Sequence, residues 1–152
     1  MTNAWSPDDL AVLGRRLDEW LAALAAADDH IVAVERDPDE PRRWFARMTG
    51  DEKDFITVWL TLGQRTLRYE TYVMPAPEEN AELLYENLLR RNERLTGVHF
   101  SIGAEDGIFL RGEIPVEWIS HDEVDRILGT LYATVEISFT GLLRIGFASR
   151  FE

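Results

Sequence analysis

The residues that could do chemistry include three histidines, and these do not form a metal or catalytic pattern. His30, His99 and His121 lie far apart along the chain. None has a second histidine or an acid at ligand spacing, although a metal site needs three or four converging ligands. The chain has no cysteine, which excludes disulfides, thiolate catalysis and cysteine-ligated zinc. We therefore expect neither a metal nor another cofactor.

Two short acidic segments have some features of ion-binding loops. Residues 37–40, DPDE, contain acids suited to calcium, but they lack the twelve-residue spacing and the terminal bidentate glutamate of a calcium loop. Residues 103–107, GAEDG, have two glycines but no lysine, and their two acids would repel a phosphate. Both segments are better explained as turns between strands.

Acid–base or nucleophilic catalysis would need a carboxyl group withdrawn from water or an activated serine. Glu70 is the most interesting carboxylate because aromatic residues flank it, but a place beside Arg68 and across from Thr57 is a sufficient structural role. None of the serines lies in a nucleophile elbow. The sequence therefore predicts a protein that is not an enzyme.

Length and composition indicate one folded domain. The chain has 152 residues, of which 45% are hydrophobic and 11% aromatic, and we assign residues 1–152 to a single globular domain. No segment approaches the roughly 18 apolar residues of a membrane span, and the acidic start is unlike a signal peptide. We therefore expect a cytoplasmic protein that does not contact membranes.

The charge is strongly acidic and unevenly distributed. The net charge is −12; residues 1–40 carry ten acids against three arginines, whereas residues 41–76 carry four acids against six basic residues. Such a surface repels a phosphate backbone, so we expect no nucleic-acid partner. Strong acidity also favours solubility.

Hydrophobic periodicity predicts nine elements in the order α-β-β-β-β-α-β-β-α. The first helix starts at Pro7 after the cap Ser6, and the second starts after Pro77 with Glu78 and Glu79 in its first turn. Strands are expected at residues 30–36 and 42–49, in a hairpin at 54–73, and in a second hairpin at 98–114. The fold class is α+β: one domain with an antiparallel sheet and helices on one face.

The last segment allows two interpretations. A capping box of Ser120 and Glu123 begins a helical pattern, but residues 131–139 also alternate as a strand would. We favour the helix because of its cap and its length, although Gly129 costs about 1 kcal/mol in a helix interior. In that helix Gly129 and Ala133 form a small notch, suited to close packing within the chain or, alternatively, to a dimer contact.

The hairpin at residues 54–73 has an unusual second face. If Gly63-Gln64 forms a two-residue turn, its core face is apolar, and its other face pairs Phe55 with Tyr72 and stacks Arg68 on Trp59. One interpretation is that these pairs stiffen the sheet or are covered by another element. The other is that Phe55, Trp59, Arg68 and Tyr72 bind a partner, since aromatic residues and arginine are favoured in interfaces.

Two segments carry a resemblance to a known family. Residues 97–115, GVHFSIGAEDGIFLRGEIP, and residues 120–135, SHDEVDRILGTLYATV, look like the corresponding segments of YbjN-like proteins. The element order resembles that of type III secretion chaperones of the CesT/Tir class. The resemblance implies a small, non-enzymatic, commonly dimeric protein that binds peptide segments of a client. The alternatives are a regulatory or scaffold protein of the same fold with one defined partner, or a small-molecule-binding domain.

Overall fold

The computed structural model describes residues 4–152, so the first three residues of the predicted domain lie outside the described part. The described residues form three α-helices and six strands, with short 3-10 turns between some of them. In chain order the elements are α1 Pro7–Ala27, β1 Ile31–Arg36, β2 Arg43–Thr49, β3 Phe55–Leu62, β4 Thr66–Met74, α2 Ala81–Asn92, β5 His99–Ile102, β6 Ile108–Pro115 and α3 His121–Gly146.

The six strands form one antiparallel sheet in the order β1-β2-β3-β4-β6-β5. The second hairpin joins through its later strand, so β6 lies against β4 and β5 becomes an edge. Strand residues alternate between buried and solvent-facing positions, and the buried set packs under the helices. This arrangement confirms the predicted α+β class and the order of elements.

Helix α1 begins as its sequence predicts. The side chain of Ser6 accepts a hydrogen bond from the Asp9 amide, and the Asp9 carboxylate accepts one from the Ser6 backbone N–H. Asp18 then ties the helix to the sheet, because it accepts hydrogen bonds from Arg36 and from the indole of buried Trp44 at 2.7 Å. Burial raises the pKa of Asp18, but these bonds outweigh it and hold the pKa below its usual value.

The start of α2 differs from the sequence prediction. The helix begins at Ala81, after Asn80 in the left-handed conformation with φ 55°. Glu78 and Glu79 are therefore outside the first turn. Their backbone amides bond the Gly146 carbonyl, and the Glu79 carboxylate binds Ser149. These two acids thus fasten the β4–α2 connection to the end of α3, a use that depends on tertiary contacts.

Helix α3 runs unbroken through residues 131–139, so the helical interpretation is confirmed. The hydroxyl of Ser120 caps it by accepting from the Glu123 amide. The predicted reciprocal half of the capping box is wrong, since the Glu123 carboxylate binds Arg126 one turn later. At the far edge of the sheet, the Asn92 side chain bonds both the N–H and the C=O of Phe100, which occupies polar backbone groups on β5.

The register of the β3–β4 hairpin differs from the predicted one by two residues. Leu62 lies opposite Leu67, and the Gly63 amide bonds the Thr66 carbonyl at 2.8 Å, so Gln64 and Arg65 are the central turn residues. A shift of two preserves which face each side chain occupies. It does change the cross-strand neighbours: Trp59 lies opposite Glu70 instead of Arg68.

Candidate functional site

The candidate site is the sheet face that points away from the helices, here called the outer face. Phe55 is 46% exposed and Tyr72 is 44% exposed, while Trp59 is half-buried. The predicted pairing of Phe55 with Tyr72 is wrong, because the β3–β4 register is two residues off the predicted one, and Tyr72 lies opposite and against Phe109 of β6. The outer-face aromatic residues are Phe45, Phe55, Trp59, Tyr72 and Phe109.

Two arginines of β2 stack on aromatic rings of β3. The guanidinium of Arg43 lies 4.1 Å from the Trp59 ring centroid, and that of Arg47 lies 4.1 Å from the Phe55 ring centroid. The predicted stacking of Arg68 on Trp59 is therefore wrong; Arg68 is exposed and pairs with Glu113 at 3.3 Å. The cation beside Trp59 comes from the preceding strand.

A second cluster lies on β4, β5 and β6. Arg111 stacks on Phe109 at 4.5 Å and pairs with Glu70 at 2.6 Å, with an additional hydrogen bond to Ser101. Glu70 is thus the ion-pair partner of an arginine on β6. The sequence prediction had placed Glu70 beside Arg68 and across from Thr57. A carboxylate held in this way is well suited to a structural role.

Lys53 lies at the end of the outer face, where the β2–β3 turn meets α3. Its ammonium is 5.9 Å from the Tyr72 ring centroid and 5.5 Å from that of Phe139. Burial lowers the pKa of Lys53, against a raising effect of Asp54. Burial, with a contribution from Glu105, raises the pKa of Tyr72. Tyr72 therefore stays neutral at physiological pH and presents an apolar ring with a hydroxyl tip.

The predicted small-residue notch lies on the solvent side of α3. Gly129 and Ala133 are exposed, and a Cβ built on Gly129 would meet no atom within 4 Å from the described residues beyond the adjacent backbone of its own helix. Close packing within the chain is therefore not what this glycine provides. Ile137, one turn further along, is 80% exposed. The dimer contact remains a prediction.

The three histidines are dispersed in space as they are in sequence. His30 contacts the Tyr132 ring, His99 lies on the outer face opposite Arg111, and His121 lies beside Asp122. Within the described part of the chain, no three histidine or acidic side chains cluster closely enough to hold a metal ion. Among residues 4–152, no helix combines the length and apolar character needed to cross a bilayer.

Sequence reasoning missed part of the outer face. Arg43, Phe45 and Arg47 occupy alternate positions of β2, and the same alternation puts Phe109 and Arg111 outward on β6. The period-two pattern of RRWFARMT was sufficient to place the three β2 residues on one face. Alternation along one strand could not predict which aromatic rings these arginines stack on, because cross-strand contacts depend on register.

Comparison with known proteins identifies relatives along most of the chain. A family model described as YbjN, a putative bacterial sensory transduction regulator, matches residues 15–143. An uncharacterized protein of Mycobacterium tuberculosis is 36% identical over 112 residues, and one of Mycobacterium leprae is 32% identical over 115 residues. These matches cover 74% and 76% of this chain. The chain spans 61% and 62% of the lengths of these two relatives.

Solved structures share the fold at low sequence identity. A chain of the ExsC–ExsE complex matches with a TM-score of 0.60 and 20% identity, covering 86% of this chain and 96% of that one. A chain of the HopA1–SchA chaperone–effector complex matches with a TM-score of 0.56 and 15% identity, covering 84% and 94%. A chain of the ExoU–SpcU complex from the Pseudomonas aeruginosa type III secretion system matches with a TM-score of 0.55 and 13% identity, covering 82% of this chain and 95% of that one. The chain therefore belongs to the YbjN family, and its fold is that of secretion chaperones.

Proposed function

We propose that the chain is a non-enzymatic, cytoplasmic protein-binding module that captures a segment of a client protein on its outer face. The observation that carries this proposal is the exposure of Phe55 and Tyr72 on a sheet face that the helices leave open. The similar structures are complexes of two proteins, one of them described as chaperone and effector. That similarity supports partner binding as the use of the fold.

The energetics of such binding are adequate without a cofactor. Covering the exposed halves of the two rings would remove roughly 150 Å² of apolar surface from water, worth roughly 4 kcal/mol before the costs of association. Trp59 with its stacked arginine adds a rigid, partly buried anchor of the kind that dominates interface energetics. Part of this favourable free energy offsets the conformational entropy that a disordered client segment loses when it becomes ordered on binding.

A second candidate is a regulatory protein that uses the same surface for one defined partner. The description of the family as a putative sensory transduction regulator favours it. The two candidates differ in the kind of partner. A chaperone-like module binds an unfolded segment of a client, whereas a regulator binds one defined, folded target. A small-molecule-binding domain is a weaker alternative, because the groove beside Trp59 is partly open to solvent and some of its charged side chains already pair with one another.

Replacing Trp59 and Tyr72 together with alanine is expected to weaken partner capture at least about tenfold, because two aromatic anchors are lost. The thermal midpoint should change little, since both rings are partly exposed. The measurement is affinity purification from the expressing cells with mass spectrometry, beside thermal unfolding. Leu83→Ala is the matched control, because Leu83 is 53% exposed on α2.

Unchanged capture by the double variant, with a recurrent partner in the wild-type sample, would contradict the outer face as the binding site. A large loss of thermal stability with capture intact would show that the aromatic residues act by stiffening the sheet.

We also propose that the protein is a homodimer through the exposed stripe of α3 formed by Gly129, Ala133 and Ile137. Ile137→Glu is expected to convert a dimer into a monomer, because it places a charge in an apolar contact. The measurement is mass in solution by light scattering. Leu89→Glu is the control, since Leu89 is 71% exposed on α2. A dimer lost in the Leu89 variant and kept in the Ile137 variant would place the contact on α2 instead.

A further inference from the structure

We propose that the outer face selects a client segment that carries carboxylates beside apolar residues, with Arg43 and Arg47 each receiving one carboxylate. This inference rests on the proposed function and names the chemistry of the partner. Its basis is a difference among the outer-face arginines. Arg68 and Arg111 already pair with Glu113 and Glu70.

Arg43 and Arg47 lack such partners among residues 4–152. Neither guanidinium forms an ion pair there; that of Arg43 stacks on the Trp59 ring and that of Arg47 on the Phe55 ring.

The stacking prepares both arginines to bind an oxyanion. A guanidinium lying on a ring uses its face for the ring, while its N–H donors project from its edge. Those donors match the two oxygens of a carboxylate. Because the ring restricts the side chain in advance, less rotamer entropy is lost when the carboxylate binds.

The spacing defines what should lie between the two carboxylates. Arg43 and Arg47 are four residues apart on β2, which corresponds to about 13 Å along a strand. Phe45 lies between them on the same face and contacts Trp59, with ring centroids 5.3 Å apart. The complementary segment therefore carries apolar side chains flanked by two acids four positions apart in an extended chain.

The charge of the whole molecule favours this placement. The protein carries −12, so an acidic segment is repelled from most of the surface and is attracted only where unpaired cations face solvent. Glu35 of β1 lies opposite Phe45, Glu40 lines the same groove as Arg43, and these two acids limit how many negative charges the face tolerates. A nucleic acid presents a continuous run of phosphates, which these acids disfavour.

The test uses two labelled synthetic peptides of about 16 residues with the same apolar residues, one carrying two glutamates four positions apart, which is about 13 Å in an extended chain, and the other carrying two lysines there. Fluorescence anisotropy measures binding to the full chain. The glutamate peptide is expected to bind at least tenfold tighter than the lysine peptide. Its affinity should fall as NaCl rises from about 50 to about 300 mM.

The variant Arg43→Glu with Arg47→Glu should reverse this preference by about tenfold or more. Arg43→Lys with Arg47→Lys keeps the charges but loses the forked donors, and it should be intermediate. Circular dichroism of each variant checks that the fold is retained. A misfolded reversal variant leaves the wild-type peptide comparison and the lysine variant to decide the result.

Four outcomes would overturn the inference. Equal binding of both peptides, or failure of both while the Trp59 and Tyr72 substitutions still abolish partner capture, would refute the carboxylate preference and leave the proposed function standing. Tighter binding of a single-stranded DNA oligonucleotide to the same arginines would favour phosphate over carboxylate. Failure of both peptides together with unchanged capture by the Trp59 and Tyr72 variant would refute the proposed function as well.

Discussion

Replacing Gly112 with alanine is expected to lower the free energy of unfolding by about 3 kcal/mol, because β6 approaches its neighbours too closely for a side chain. A Cβ built on Gly112 would overlap the Gly97 carbonyl oxygen and would lie 2.5 Å from Cε2 of Tyr69. Tyr69 is buried, and its hydroxyl donates to that same carbonyl at 2.8 Å. Gly97 itself has φ 79°, a left-handed conformation that glycine adopts without strain.

Urea denaturation followed by circular dichroism measures this effect. Gly129→Ala is the matched control, because a Cβ at Gly129 meets open space and alanine is the better helix former by about 1 kcal/mol. The two variants should therefore shift stability in opposite directions. A Gly112 variant as stable as the wild type would show that the Tyr69–Gly97 contact does not constrain β6.

Gly50→Ala is expected to cost a similar amount, about 3 kcal/mol, because it would disrupt a lock between the β2–β3 turn and α3. The Glu136 carboxylate accepts backbone hydrogen bonds from Asp51 at 3.1 Å, Glu52 at 2.8 Å and Lys53 at 3.4 Å. A Cβ at Gly50 would overlap Glu136 Oε1 and would lie 2.5 Å from the Lys53 carbonyl oxygen. The turn amides form a concave set of donors that the carboxylate fills.

Two controls separate the steric and the electrostatic parts of this lock. Gly63→Ala tests a turn glycine whose nearest neighbour is the Thr66 carbonyl oxygen at 3.4 Å, and it should change stability little. Glu136→Gln keeps the size but removes the charge, and it is expected to cost about 1–2 kcal/mol. Thermal unfolding compares all three. A Gly50 variant with no more effect than the Gly63 variant would contradict the lock.

The outer face shows how far sequence reasoning extends towards a site. Alternation along residues 55–73 placed Phe55, Trp59 and Tyr72 on the side away from the core, and the structure agrees. The partner of Trp59 was wrong because the turn centres on Gln64 and Arg65 instead of Gly63 and Gln64. A glycine at the first position of a two-residue turn is a good signal, yet other hairpin geometries accept glycine too.

The helix ends also show which features local sequence predicts and which depend on distant contacts. Ser6 and Ser120 cap their helices as local sequence predicts, since a cap involves residues only three positions apart. Glu78 and Glu79 did not join the first turn of α2, because residues about seventy positions later compete for their carboxylates and amides. A prediction of helix ends from local sequence therefore fails where residues distant in the chain form competing hydrogen bonds or ion pairs.

The order of elements, the α+β class and the faces of the β3–β4 hairpin residues from Phe55 to Tyr72 were determined by the sequence alone, because periods of 2 and 3.6 residues are properties of neighbouring positions. Only the tertiary structure decided which aromatic residue stacks on which arginine, and which acids remain paired. Those contacts join strands whose spacing depends on turn geometry and on the insertion of β6 beside β4. Cross-strand partners are set by the register of the whole sheet, which no local pattern specifies.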